Sequence, residues 1–306
     1  MKRPVFLDRG ANSKYIRAGN NSSVKEKTMR GFSRAFVFFL LILMSSCGGR
    51  STKAGKITVA VTILPLADFV ENVGKDKVEV VVMVPPGASP HTYEPTPEQL
   101  RKVSEAKMYV KVGSGVEFEL AWMDKLSKIN EDMTIVDSSE GIEIMENDPH
   151  IWLSPKNAEK MVENICDGLV EVDPKSERYY IGNKDAYIRR LKELDGYIRE
   201  KLKGIENRRF MVYHPAWGYF ASDYGLEQIS IKRSGKEPTV SEMKDAIEKA
   251  RKYNIETIFV SPQLSTKGAQ VIAKEIGGKV VPLDPLPGDY IDNMRTVVEQ
   301  LVQAMR

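Results

Sequence analysis

The sequence predicts an α/β protein of two lobes, each a parallel β-sheet flanked by helices, joined by one long rigid helix, with a binding site in the cleft. Short apolar runs alternate with amphipathic helical patterns over about 57–172 and again after residue 208. This alternation is typical of parallel sheets covered by helices. Between the two regions, helical periodicity continues for about 30 residues. In addition, all three histidines of the chain lie beside a proline in stiff loops.

The first lobe, residues 56–174, is predicted to contain four β-α units. Thr96 and Pro97 mark one helix start, because threonine is a good N-cap and proline suits the first helical position. Ser154 and Pro155 mark another helix start in the same way. The predicted strands cover 57–62, 78–84, 108–112 and 134–137, and the predicted helices cover 65–74, 96–106, 118–129 and 155–172.

The linking segment, residues 175–207, is predicted to be one helix as far as about Gly204. Its apolar residues recur at three- and four-residue steps, and about 30 residues at 1.5 Å each span about 45 Å. A coiled coil is the alternative, but sustained heptads are not evident.

The second lobe, residues 208–306, has predicted strands at 210–213, 229–231, 257–260 and 279–283, and predicted helices at 240–253, 266–276 and 291–305.

Residues 1–46 are predicted to form a leader with an export signal, within which Met29 is an alternative start. A basic stretch at 29–34 precedes ten consecutive apolar residues, Ala35–Met44. This run is too short for a transmembrane helix, which needs roughly 20 residues. A basic segment followed by an apolar run and then by small residues is typical of an export signal.

Small residues directly before Cys47 resemble the lipobox of bacterial lipoproteins. The resemblance implies that Cys47 is lipidated, that residues 47–55 form a tether, and that the protein is anchored to the cell membrane on its extracytoplasmic side. Met44 departs from the pattern, which usually has leucine there. A plain secretory signal with an incidental cysteine is the alternative.

The charge of the chain argues against nucleic-acid binding. Of the 45 Lys and Arg and the 42 Asp and Glu, nine and two fall within residues 1–46, which leaves 36 against 40 and a net charge of −4 for the rest. A nucleic-acid-binding protein normally has a basic face.

The two cysteines predict no disulfide, because lipidation of Cys47 leaves Cys166 without a partner. Cys166 takes an apolar helical position and is interpreted as a buried small residue.

The three histidines and one aspartate are candidates for a metal site. His91 and His150 belong to the first lobe and His214 to the second, while Asp284 follows the last strand. Because loops at the carboxyl ends of strands converge on a crevice, these four side chains could meet there. Three imidazoles and one carboxylate form a plausible tetrahedral set for Zn²⁺. Four protein ligands leave no open position for substrate, which favours binding over catalysis.

Three motifs carry a resemblance to a known family. Ser89-Pro90-His91-Thr92-Tyr93-Glu94-Pro95, Asp148-Pro149-His150-Ile151-Trp152-Leu153 and Tyr213-His214-Pro215-Ala216-Trp217 resemble the histidine motifs of metal-binding solute-binding lipoproteins of zinc/manganese ABC transporters. The resemblance extends from about Ile57 to Met305. It implies two lobes joined by a rigid helix, and a monomer that delivers a divalent metal to a membrane permease.

The resemblance also implies the ligands. His91, His150 and His214 would bind the metal, with Asp284 as the carboxylate ligand and the nearby Asp289 as the alternative. Three histidines favour zinc over manganese, because imidazole suits zinc and carboxylates suit Mn²⁺.

The chain departs from the family pattern in two places. Ser261-Pro262-Gln263 lacks the acidic residue that many members have before the Pro-Gln pair, and no His- and acid-rich insertion follows His91. The metal is therefore open between zinc, manganese and iron. A zinc hydrolase and an adhesin-like lipoprotein with a structural metal are further alternatives. The hydrolase is disfavoured because the chain has no His-Glu-x-x-His motif and no evident general base beside the histidines.

Overall fold

Two parallel β-sheets of four strands each form the frame of the protein in a computed structural model that describes residues 55–231 and 238–306. The strand order is β2-β1-β3-β4 in the first sheet and β6-β5-β7-β8 in the second. Every pairing between neighbouring strands is parallel. The strands are β1 Ile57–Val61, β2 Val78–Val82, β3 Met108–Lys111, β4 Thr134–Asp137, β5 Arg209–Val212, β6 Glu227–Ser230, β7 Thr257–Val260 and β8 Lys279–Pro282.

The strand order gives each sheet one topological switch point. The chain moves outward from β1 to β2 and then returns to the other side of β1 at β3, and β5 and β7 repeat this arrangement. In open α/β sheets, ligands bind outside the carboxyl ends of the strands at such a point. In both sheets, the loops that follow the strands are therefore the expected place for a ligand site.

Nine α-helices cover the sheets in the described residues. Thr96 and Thr239 each form a complete capping box with the residue three positions later, and Ser154 and Asp289 cap two further helices. The helices are α1 Leu64–Gly74, α2 Pro97–Glu105, α3 Glu117–Ile129, α4 Pro155–Val172, α5 Glu177–Leu202, α6 Gly218–Tyr224, α7 Val240–Lys252, α8 Lys267–Ile276 and α9 Tyr290–Met305.

The long helix α5 has 26 residues, which corresponds to a length of about 39 Å. It packs against α1 and α4 of the first lobe and against α9, the last helix of the chain. Its buried face is apolar and aromatic, so the helix is held along its length by packing. Residues 55–306 form one compact unit, in which the larger hydrophobic core includes side chains of α1, α4, α5 and α9.

The predicted fold class is confirmed, and the element boundaries differ by a few residues. The predicted helix from 175 begins with a 3₁₀ turn, Pro174–Ser176, before α5 proper. Helix α6 was not predicted. It is seven residues long and has no side-chain cap at its start, so local sequence signals for it are weak. The division into 56–174, 175–207 and 208–306 stays a prediction.

The predicted leader, Cys47 and most of the tether lie outside the described residues. Within the described residues, none of the helices has the length and hydropathy needed to span a bilayer.

Candidate metal centre

The three histidines lie in loops around one small cavity between the two sheets. His91 follows β2, His150 precedes α4, and His214 follows β5. All three side chains line the cavity, which has a volume of ≈ 30 Å³. A single water needs about 10–15 Å³ by this kind of measure, so the cavity suits a small ion better than an organic molecule. Other lining residues include Ser89, Val116, Glu117, Trp152, Ser261, Gln263 and Leu286.

The loop that carries His91 is built from prolines and tight turns. The backbone N–H groups of Thr92 and Tyr93 both donate to the carbonyl of Ser89, at 3.2 and 3.1 Å. Gln99, near the start of α2, donates its Nε2–H groups to the carbonyls of Val82, the last residue of β2, at 2.9 Å and of Met83, the next residue, at 2.8 Å. These bonds fix both ends of the loop. They hold His91 at the cavity with its side chain one-fifth exposed.

Glu117 makes a contact with His91 that the sequence did not predict. Its Oε1 lies 2.8 Å from His91 Nδ1, and its side chain is about half exposed at 47%. The hydrogen bond with His91 holds the pKa of the Glu117 carboxyl below its ordinary value. Because a carboxylate only accepts hydrogen bonds, Nδ1 carries the proton and Nε2 keeps its lone pair. Carboxylates orient metal-binding histidines in this way in many proteins.

The loop that leads to Glu117 is anchored by Glu119, two residues further on. Glu119 is buried, and its carboxylate accepts hydrogen bonds from the backbone N–H groups of Val112 at 2.6 Å and Gly113 at 2.9 Å. The hydroxyl of Thr62 donates to the same carboxylate at 2.6 Å. Burial raises the pKa of the Glu119 carboxyl. The Glu119 carboxylate thus ties the ends of β1 and β3 to α3, which carries Glu117.

Asp148 contacts His150 in a similar way. Its Oδ1 lies 2.7 Å from His150 Nδ1 and also accepts the backbone N–H of His150 at 3.0 Å. Both side chains are largely buried, at 10% and 13% exposure. Gly218 packs against this pair, because a Cβ there would lie 2.3 Å from Asp148 Oδ2. The same argument as for His91 gives His150 a protonated Nδ1 and an available Nε2.

His150 and His214 have the spacing of two ligands of one ion. Their Nε2 atoms are 3.4 Å apart, and two donors of a tetrahedral zinc site with Zn–N bonds of 2.0–2.1 Å are about 3.3 Å apart. The ring centroid of His214 lies 5.2 Å from that of His150 and 5.1 Å from that of His91. The His214 ring thus lies close to both of the other two rings. Among the described residues, no group of three or more His, Cys, Asp or Glu has the arrangement of a formed metal site.

Asp284 lies next to the cavity, and its loop forms part of the wall. Its Oδ1 accepts hydrogen bonds from Gln263 Nε2 at 2.7 Å and from the backbone N–H of Leu286 at 2.9 Å. The next residues, Pro285 and Leu286, line the cavity. Asp289, the alternative ligand in the sequence, caps α9 by accepting the N–H of Asp292 at 3.3 Å. The cap gives Asp289 a structural role away from the cavity lining.

Trp152 connects the two sides of the site. It is 2% exposed, and its Nε1–H donates to the carbonyl of Pro285 at 2.6 Å across 133 residues of sequence. Its ring centroid lies 5.2 Å from that of His150. Two further bonds join the lobes nearby, because the N–H of Met145 donates to the Tyr219 hydroxyl at 2.6 Å and the Ser154 hydroxyl donates to Asp223. These bonds limit how far the two halves of the site can separate without breaking buried contacts.

The chain matches known zinc-uptake proteins over most of its length. Residues 59–304 match the family described as zinc-uptake complex component A, periplasmic. The high-affinity zinc uptake system protein ZnuA of Bacillus subtilis (strain 168) is 30% identical over 303 residues, which are 86% of this chain and 94% of that protein. The zinc-binding lipoprotein AdcA of Streptococcus pneumoniae is 28% identical over 281 residues, which are 84% of this chain and 56% of AdcA.

The structural comparison agrees with the sequence matches. A crystal structure of a ZnuA deletion mutant with zinc bound has a TM-score of 0.78 to this chain at 39% identity, covering 82% of this chain and 98% of the other. The two four-stranded parallel sheets and the helices around them are thus those of a two-lobe binding protein. The chain belongs to the zinc-uptake complex component A family, which comprises solute-binding proteins of zinc ABC transporters.

Proposed function

We propose that this protein binds a zinc ion outside the cytoplasm and delivers it to an ABC-type permease in the membrane. The ligands in this proposal are the Nε2 atoms of His91, His150 and His214, together with the carboxylate of Asp284. The observation that carries the proposal is the 3.4 Å spacing of the His150 and His214 Nε2 atoms, with a carboxylate against the Nδ1 of His150. That arrangement presents two lone pairs to one ion in the geometry that zinc prefers.

The donor set favours zinc over manganese. Imidazole nitrogens are typical zinc ligands, whereas Mn²⁺ prefers carboxylates, carbonyls and water. The contacts of Glu117 and Asp148 with histidine Nδ1 atoms support this choice, because they assign these two carboxylates to orienting imidazoles. Relatives named for zinc uptake and zinc binding add independent support.

A receptor explains the site better than an enzyme does. The cavity of ≈ 30 Å³ leaves little room for an organic substrate beside an ion, and four protein ligands would fill a tetrahedral zinc shell. A receptor must also release its metal, so the metal-free protein should remain folded. An adhesin-like protein with a structural metal would unfold when stripped, as metal-dependent small domains do.

Zinc titration of the protein without residues 1–46 tests the function directly. We expect one zinc ion per chain to bind and to be removed by a chelator, and the stripped protein to keep its circular dichroism and a cooperative unfolding transition. Failure to bind zinc at micromolar concentrations would contradict the proposal. Unfolding on zinc removal would instead favour the structural-metal alternative, and turnover of ester or peptide substrates would favour the hydrolase.

The lipid anchor at Cys47 is a separate proposal, supported by the leader in the sequence and by the name of the relative AdcA, a lipoprotein. A lipidated chain should stay with the membrane after export, because two or more acyl chains give stable anchoring. We expect Cys47→Ser to move the exported protein from the membrane fraction to the soluble fraction. A variant that remains in the membrane fraction after a high-salt wash would contradict lipidation at Cys47.

A further inference from the structure

Gln263 has an unusual hydrogen-bonding state for a residue that lines the cavity. Its Nε2–H donates to Asp284 Oδ1 at 2.7 Å, while its Oε1 is buried without a hydrogen-bond partner among the described residues. Buried acceptors are nearly always paired in folded proteins, and leaving one unpaired destabilises the fold. The unpaired Oε1 of Gln263 therefore lowers the stability of the fold, and the family match assigns this side chain no role that would offset the loss.

The orientation of the amide follows from the chemistry of its neighbour. The nitrogen and oxygen of a glutamine amide are assigned from the hydrogen bonds they make. A carboxylate accepts hydrogen bonds and cannot donate them. A flipped amide would place Gln263 Oε1 against Asp284 Oδ1, acceptor against acceptor. The contact with Asp284 therefore determines the orientation of Gln263 and leaves its Oε1 unpaired.

The same contact defines how Asp284 can bind an ion. Its Oδ1 is held by two donors, Gln263 Nε2 and the backbone N–H of Leu286, and its backbone carbonyl accepts Asn293 Nδ2 at 2.9 Å. With Oδ1 held, Oδ2 is the oxygen that can serve as a ligand. Metal-binding carboxylates are commonly fixed by hydrogen bonds to the oxygen that does not bind the metal, and loss of such a partner lowers affinity about 10- to 100-fold.

We propose that Gln263 is a positioning residue for metal binding: it holds Asp284 Oδ1 so that Oδ2 faces the ion, and it carries an unpaired Oε1 as the cost of that arrangement. This inference rests on the proposed zinc-binding function. It explains why an amide is present at this place in the cavity wall, where an apolar side chain of the same size would pack without an unpaired acceptor. It also predicts that removal of the amide lowers zinc affinity without lowering the stability of the zinc-free protein.

Gln263→Met tests this, because methionine has a similar length and no polar amide. We expect zinc affinity to fall about 10- to 100-fold, while the melting temperature of the zinc-free protein stays unchanged or rises. The matched control is Gln270→Met, on the exposed face of α8, which should change neither quantity. A Gln263→Met protein that binds zinc as tightly as the wild type would overturn the inference, as would a lower melting temperature together with a proportionate loss of affinity.

A double-mutant cycle shows whether Gln263 acts through Asp284. In an Asp284→Ala background, Gln263→Met should cause little further loss of zinc affinity, because the carboxylate that it positions is gone. An equal loss in both backgrounds would overturn the positioning role. Failure of the inference is distinguishable from failure of the proposed function, because the latter would appear as absent zinc binding in the wild-type protein itself.

Discussion

Replacement of His150 by alanine should weaken zinc binding by more than about 100-fold. Removal of a residue that only orients a ligand typically costs 10- to 100-fold in affinity, and His150 is a proposed ligand itself. Its Nε2 lies 3.4 Å from that of His214, which is the spacing of two ligands of one zinc ion. The variant would therefore lose one of the two best-placed donors. A 100-fold change corresponds to about 2.7 kcal/mol of binding free energy. Competition titration against a chromophoric chelator measures the change.

Two further variants control for indirect effects. Asp148→Asn keeps the size of the side chain but removes the carboxylate that faces His150 Nδ1, so its affinity should fall less than that of His150→Ala. Cys166→Ala removes a buried thiol in α4 and should leave affinity unchanged. Tight zinc binding by His150→Ala would refute the assignment of this ligand.

Proton competition should accompany this result. A histidine nitrogen must be free of its proton before it can bind a metal, so protons compete with zinc for the proposed imidazole ligands. Zinc affinity of the wild-type protein should therefore decrease as the pH falls from 8 to 5. An affinity that stays constant from pH 5 to pH 8 would argue against histidine ligation.

The parts of the site that the sequence could predict are those encoded locally. Each histidine sits beside a proline, and each such loop adjoins a strand or a helix start with clear signals. The fold class followed from the alternation of strand and helix patterns for the same reason. These features depend on residues within a few positions of one another, so local rules suffice.

The contacts that orient the histidines depend on distant residues and were not predicted. Glu117 reaches His91 from 26 positions away, and Trp152 reaches Pro285 from 133 positions away. Asp148 and Gln263 were visible in motifs, but their partners are set by how the loops pack. One signal could have indicated Glu117: it lies two residues after the Gly113-Ser114-Gly115 turn and begins a helix, at the carboxyl end of a strand.

Helix α6 was missed for a related reason. It contains seven residues, of which Tyr219, Phe220, Ala221 and Tyr224 are buried, and so short a helix is stabilised by tertiary packing more than by its own sequence. Gly225, in the left-handed conformation at its end, was the one local signal. The helix matters to the site because its first residue, Gly218, packs against Asp148.

Asp68 should make the folded protein less stable as pH rises from about 4 to 7. It lies in α1, accepts a hydrogen bond from the Tyr187 hydroxyl of α5, and has a pKa raised by burial from 3.8 to about 6. Because the folded state binds this proton more tightly than the unfolded state, the stabilisation is full below pH 3.8 and is lost as pH passes through 6. A shift of about two pH units corresponds to about 3 kcal/mol of unfolding free energy.

Asp68→Asn isolates this contribution, since asparagine cannot ionise yet still offers an acceptor to Tyr187. Urea unfolding of the zinc-free proteins at several pH values gives the free energy of unfolding of each. We expect Asp68→Asn to gain up to about 3 kcal/mol relative to the wild type between pH 4 and pH 7. Burial is the largest cause of the raised pKa of Asp68. The negative charges of Asp289 and Glu71 add to the rise in this pKa, whereas the hydrogen bond from Tyr187 and the positive charge of Arg190 oppose it.

The control for Asp68 is Asp76, an exposed carboxylate that also accepts a hydrogen bond from a tyrosine, Tyr179. This hydrogen bond lowers the pKa of Asp76, so its stabilising effect is present above the ordinary carboxyl pKa and is lost only in more acidic solution. Asp76→Asn should therefore show no gain relative to the wild type between pH 4 and pH 7. An equal gain in both variants would mean that the tyrosine contact, and not burial, determines the pH dependence; a gain in Asp68→Asn alone identifies burial at the junction of α1 and α5 as its cause.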